Sequence, residues 1–195
     1  MFSLSQRIQT LSNQALTFAC FIFVFVIATS WLQLIQQHAF MTPSSIDNIK
    51  TSINLRTSRY YGSMNGKPKE NSKILFDLNT DLSPLFNWNT KQVFVYLTGE
   101  YEGQLRPQTK SEVTYWDKII TKGDNAKLQL KNVRSKYAVW DLEEVFVGRE
   151  LTFKLKWNIQ PWIGPLIYGE ANGNKTITIT SGKPANVKNE KKSSA

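Results

Sequence analysis

Few residues in this chain are equipped for acid–base or nucleophilic chemistry. Its 195 residues contain one histidine, His38, and one cysteine, Cys20. A Ser-His-Asp triad needs a histidine to relay the proton, and His38 stands in a glutamine-rich stretch (Gln33, Gln36, Gln37) at the end of a long apolar run. One cysteine excludes a disulfide framework and a Cys-based zinc site, and one histidine excludes a multi-histidine metal centre. No G-x-S-x-G elbow, phosphate-cradling G-x-x-x-x-G-K-[ST] loop or dinucleotide-binding glycine fingerprint occurs. Carboxylates are available for paired-carboxylate hydrolysis at Asp77, Asp81, Glu100, Glu102, Glu112, Asp117, Asp141, Glu143 and Glu144. Acidic residues alternating with apolar ones usually mark the solvated face of a strand. Serines and lysines are numerous, so a Ser-Lys dyad stays open, but without any motif. The reading is of a chain with no catalytic, cofactor-binding or metal-binding residue of its own.

Two other kinds of residue carry chemistry of recognition and modification. Asn174-Lys175-Thr176 is the only Asn-x-Ser/Thr sequon, placed between Gly173 and a short β-like run, where a glycosyltransferase could reach Asn174. Five tryptophans follow the apolar run: Trp88, Trp116, Trp140, Trp157 and Trp162. Trp157 and Trp116 fall on the apolar faces of strand-like segments and are expected in a core. Trp88, between Asn87 and Asn89, and Trp162, between Pro161 and Pro165, sit in loop-like contexts and are candidates for partner contact. The segments 84–91 and 160–168, with Trp88, Asn89 and Trp162, are therefore the expected docking surface.

These residues must be positioned by two kinds of element. Between Arg7 and Asp47 there are 39 consecutive residues without Lys, Arg, Asp or Glu. The middle of that run, 15–35, is dominated by Phe, Ile, Val, Leu and Ala. About 20 helical residues, rising about 1.5 Å each, cross a hydrocarbon core of about 30 Å, so this segment is expected to be a single transmembrane anchor. Cys20 falls mid-span as a small packing residue, and Trp31 sits at the far end, where an indole favours the headgroup region. A cleaved signal peptide is the alternative, with small residues at Ala28-Thr29-Ser30. The run is longer than the 7 to 15 residues usual for one and continues through Leu32, Leu34 and Ile35. Charge leaves the orientation open, since Arg7 on one side faces Asp47 and Lys50 on the other. The sequon favours a short cytosolic tail, 1–14, and a large domain on the lumenal or extracellular side.

From Asp47 onward the pattern changes to alternation. Leu151, Phe153, Leu155, Trp157 and Ile159 share one face of a strand, with Thr152, Lys154, Lys156 and Asn158 on the other. Val93 to Tyr101 is apolar on both faces near its middle, as in a central strand. Further strands are expected over 49–60, 74–82, 112–120, 127–130 and 176–180. Turn-rich stretches separate them: 61–71, with Gly62, Gly66 and Pro68, then Gly123-Asp124-Asn125, then 169–174. The fold class is mainly β, one N-terminal transmembrane helix followed by a β-sandwich over 36–182. A net charge of +9 first suggests nucleic acid. The basic residues, however, are scattered along strands or gathered in a low-complexity tail, 183–195, with Lys183, Lys188, Lys191 and Lys192. Neither a nucleic-acid partner nor a small-molecule substrate is expected.

Four blocks bear a family resemblance. FDLNTDLSPLFNWNTKQVFVYL (76–97), SEVTYWDKII (111–120), SKYAVWD (135–141) and FKLKWNIQPWIGPLIYGE (153–170) closely resemble the glycosylated accessory subunit of the eukaryotic signal peptidase complex, subunit 3, in its fungal form. The similarity runs from the anchor to about Thr180. It implies a single-pass type II protein of the endoplasmic reticulum membrane, in contact with its lipid, with the sandwich in the lumen. It also implies that this chain performs no hydrolysis but supports the catalytic subunit, which carries the serine nucleophile, beside the complex's other subunits. The rival reading from the residues is a membrane-tethered lumenal module that binds glycans or client proteins through exposed aromatics.

Overall fold

In a computed structural model, the chain is described over residues 3–56, 69–103, 109–122, 124–140 and 146–180. The expected turn residues Gly62, Gly66, Pro68 and Gly123, the carboxylates Asp141, Glu143 and Glu144, and the tail 183–195 lie outside the described residues.

One helix, α1 (Leu4–Gln36), opens the fold. It begins eleven residues before the expected span because Ser3 and Gln6 form a reciprocal capping box. The Gln6 N–H donates to Ser3 Oγ at 3.3 Å, and the Ser3 N–H donates to Gln6 Oε1 at 3.2 Å. Its apolar side chains, among them Phe18, Phe21, Val24 and Phe25, stay exposed, which suits a helix whose surroundings are lipid. The helix stops at Gln37, and His38 turns the chain with φ of 52° into a short 3₁₀ turn, Ala39–Met41.

Among the described residues nine strands follow: β1 (Ser44–Arg56), β2 (Lys69–Asp81), β3 (Thr90–Glu102), β4 (Lys110–Thr121), β5 (Lys127–Arg134), β6 (Val139–Trp140), β7 (Glu150–Pro161), β8 (Ile167–Glu170) and β9 (Lys175–Thr178). They form two antiparallel sheets, one ordered β1-β2-β5 and the other β4-β3-β7-β8. Two edges are built from successive short pieces. β5 and β6 both pair with β2, while β8 and β9 both pair with β7. The expected strands are thus all present, and β3 is central as its two apolar faces indicate. β6 and β8 are additional; β8 straddles the end of the loop-like segment 160–168 and the start of the turn-rich stretch 169–174.

The inner faces of the sheets share one core. Ile46, Ile74, Phe76 and Leu78 meet Val93, Val95, Leu97, Leu151, Phe153, Leu155, Trp157 and Ile159, all buried. Each such side chain stabilises the fold by about 1.5–3 kcal/mol when fully buried. A bulge in β4 lets it contribute two consecutive large residues. Leu97 pairs with Trp116 and Thr98 with Thr114, so Tyr115 is the extra residue. Trp116 packs edge-on against Phe76 at 5.9 Å, and the Tyr115 hydroxyl, pushed up to about 12 chiefly by burial, donates to Ser72 Oγ at 3.3 Å.

Candidate functional site

The end of the sandwich nearest α1 is built from three segments: the last turns of the helix, the β2–β3 connection and the β7–β8 connection. Ser30 and Leu34 are buried against the β-domain. Asn87 Nδ2 donates to Ser30 Oγ at 2.9 Å and to the Ser30 carbonyl at 3.2 Å. Asn87 is itself fixed, since its Oδ1 accepts from the Asn89 N–H at 3.0 Å and the Thr90 hydroxyl at 2.9 Å. A second link runs through aromatics. Trp31 tilts against Phe40 at 5.7 Å, and Phe40 against the buried Trp157 at 5.8 Å. The sandwich is therefore mounted directly on its helix.

Of the three residues expected at a docking surface, two are exposed: Trp88 at 51% and Trp162 at 66%. Asn89, expected beside them, is placed differently. It is 2% exposed and its polar atoms are consumed internally. Its Nδ2 donates to the Ile163 carbonyl at 2.8 Å, its Oδ1 accepts from the Ile163 N–H at 3.1 Å, and its carbonyl accepts from the Trp162 N–H at 2.8 Å. Asn89 is thus a clamp that positions the Trp162 loop.

The outer face of the β4-β3-β7-β8 sheet presents a surface that the tryptophan reading missed. Ile119 pairs with Phe94, Phe94 with Asn158, and Asn158 with Tyr168, placing these four side chains in one row across the sheet. Ile119, Phe94 and Tyr168 are exposed, and Tyr96 stacks on Phe94 at 5.3 Å. The sequence did hold the signal: Phe94 and Tyr96 alternate with Val93, Val95 and Leu97, so a strand with a filled inner face carries aromatics outward. Further along the same face lies an ion-pair ladder. Glu100 accepts from Lys154 Nζ at 2.8 Å and lies 3.5 Å from Lys156 Nζ, which reaches Glu112 at 2.6 Å.

Three of the carboxylates considered for hydrolysis, Asp77, Asp81 and Glu100, are held below the ordinary carboxyl range. The hydrogen bond and charge of Lys154, with Lys156, lower the Glu100 carboxyl below its ordinary range. Burial alone would lower Lys156, but the bond and charge of Glu112, with Glu100, outweigh it and raise that ammonium. Asp77 is lowered by the Asn132 backbone N–H and the Asn48 side chain, and Asp81 by Ser83. A general acid at neutral pH needs the opposite displacement. Among the described residues no group of three or more His, Cys, Asp or Glu side chains is gathered to hold a metal ion.

Asn174 is exposed, immediately before β9. The preceding Gly173 has φ of 124°, and a Cβ there would lie 1.8 Å from the Ser44 carbonyl oxygen, so only glycine lets the chain turn against β1.

The chain's relationships agree with this architecture. The signal peptidase subunit family matches residues 1–182. Signal peptidase complex subunit 3 of Saccharomyces cerevisiae is 58% identical over 180 residues, 92% of this chain and 97% of the relative. That of Debaryomyces hansenii is 54% identical over 173 residues (88% and 90%), and that of Drosophila melanogaster 36% identical over 162 residues (81% and 80%). The chain belongs to the signal peptidase complex subunit 3 family. As a subunit of that complex it has the other subunits as partners. Its one long apolar helix near the N-terminus fits a single-pass membrane protein. The family match takes in α1 and all nine strands, so both the helix-proximal end and the outer sheet face lie inside it.

Proposed function

We propose that this chain is a non-catalytic accessory subunit of the signal peptidase complex of the endoplasmic reticulum, a type II membrane protein whose sandwich stands in the lumen. Its role is to hold the catalytic subunit at the depth where signal peptides emerge for cleavage. Family membership across residues 1–182 carries this reading. The mounting of the sandwich on α1 supports it, since a scaffold that positions another active site must itself be rigid. The row of Ile119, Phe94 and Tyr168, with Tyr96, is the surface on which the catalytic subunit docks. It offers aromatic anchors on a flat sheet with a charged border, the usual anatomy of a protein contact. Glycosylation at Asn174 is part of the proposal, and its position on an exposed turn before β9 is compatible with it.

Co-purification tests the docking surface. Phe94→Arg and Tyr168→Arg place charge on an exposed face and leave the core untouched. Loss of one aromatic anchor of about 2 kcal/mol corresponds to roughly 30-fold weaker association. The expected outcome is loss of the catalytic subunit from material captured on this chain, with slower precursor processing. Undiminished capture by both variants would remove this face from the account. A glycan- or client-binding module would instead be retained on a glycan or client column without a peptidase.

A further inference from the structure

The part of the helix-proximal end that meets α1 has a composition unlike the rest of the domain. Its three segments, 27–46, 82–90 and 160–169, contain no Asp, Glu, Lys or Arg. The opposite end, where β3 finishes, carries Glu100, Glu102, Lys110, Arg149 and Glu150 around one cleft. The segments that meet the apolar helix are thus free of charge, whereas the β4–β5 connection, at the same end but on other strands, carries Lys122, Asp124 and Lys127.

Within that end, the loop between β7 and β8 reaches back along α1. Gly164, with φ of 123°, lies so close to the helix that a Cβ on it would be 3.2 Å from Ile27 Cγ1. Ile27 is nine residues before Gln36, about 14 Å down the helix axis, and well inside the apolar run. The loop exposes Trp162 and Leu166, with Trp88 on the neighbouring connection. We propose that this loop is inserted into the bilayer leaflet on the sandwich's side of the membrane, with Trp162 and Leu166 in contact with lipid.

The backbone is prepared for that environment. A loop can enter an apolar medium only if its N–H and C=O groups are satisfied by protein. Asn89 satisfies the Trp162 N–H and both the N–H and the C=O of Ile163. Pro161 and Pro165 have no N–H to satisfy. Asn89 is therefore buried in the service of a loop whose side chains point outward. Lys91 completes the arrangement. It is the first charged residue after the charge-free 82–90 segment, and its Nζ lies 5.2 Å from the centre of the Trp162 ring. An ammonium over an indole at this level matches the headgroup zone, where tryptophan rings and long basic side chains both settle. The charge-free loop, its position beside the span and the three backbone groups that Asn89 satisfies favour lipid over a protein partner.

The proposal does not depend on which complex the chain joins, and it can be tested on the full chain alone. With Cys20→Ser removing the natural thiol, Leu166→Cys and, as a control at the far end of β1, Leu55→Cys each accept an environment-sensitive fluorophore. Both positions are exposed, so the fold is not at stake. The labelled chains are reconstituted in phosphatidylcholine vesicles, with doxyl-labelled lipid as the membrane quencher and iodide on both sides as the aqueous one. The probe at 166 is expected to be quenched by the lipid label several-fold more than the probe at 55, and to resist iodide, with the reverse at 55. Iodide quenching at 166 without lipid quenching would overturn the proposal. A probe at 166 shielded from both quenchers would overturn it too, because a second protein surface would then cover the loop.

Discussion

Gly169 shows how a single atom decides the packing of the helix-proximal core. It pairs with Trp157 across β7 and β8, and a Cβ on it would lie 2.2 Å from Trp157 Cζ2. The indole lies over the glycine and meets Phe40 on its other flank. Gly169→Ala is expected to destabilise the β-domain by about 1–3 kcal/mol, as overpacking of a filled core does. A lowered thermal melting point in detergent checks this. Asp77 works by polarity. Its carboxylate accepts from the Asn132 N–H and from Asn48 Nδ2, both at 2.6 Å, and so holds two residues with positive φ that sit at bulges in β1 and β5. Its pKa is lowered on folding, so the protonated unfolded chain binds the proton more tightly. The contribution is fully present above the unfolded value of about 3.9 and is lost as pH falls through the lowered native value. Asp77→Asn is expected to flatten the acid limb of the stability profile below about pH 4; an unchanged limb would show that other carboxylates account for it.

At the scale of elements, the joint between α1 and the sandwich carries most of the consequence. The Asn87 side chain makes four hydrogen bonds, two to Ser30 on the helix and two within its own connection. Asn87→Leu strands buried partners and is expected to cost about 1–3 kcal/mol. A double-mutant cycle with Ser30→Ala, read by thermal melting, should show coupling between the two, whereas additivity would mean that the joint is held elsewhere. Asn89→Ala should speed amide exchange at Trp162 and Ile163 and leave the central strands unaffected. The sequence displayed some of these elements openly. The Leu151–Ile159 alternation named β7 and its buried face, and the charge-free run from 8 to 46 named the helix. Other elements left no such mark. β6 and β8 are two and four residues long, and β8 owes its existence to pairing with β7, which no local pattern records. Asn89 reads as a polar loop residue because its partners, Trp162 and Ile163, are more than seventy positions away in sequence. The helix extends ahead of the apolar span because of the capping box at Ser3 and Gln6, a feature that hydrophobicity does not record.

For the whole molecule, the picture is of a β-sandwich mounted on one helix, with charge-free segments where it meets that helix, an aromatic row on one outer face and a charged cleft at the far end. The carboxylates with displaced titration among the described residues are all displaced downward, by hydrogen bonds and neighbouring lysines that tie them into the fold. The central claim, that this subunit positions a peptidase and does not act as one, meets its most direct test in the complex captured through a tag on this chain. The captured complex would be treated with a serine-directed acylating probe while precursor cleavage is followed. The account predicts that the adduct falls on a different polypeptide, and that Phe94→Arg removes both that polypeptide and the cleavage activity while the captured chain keeps its β-sheet circular dichroism. An adduct on this chain, or full cleavage by the Phe94→Arg material, would contradict it.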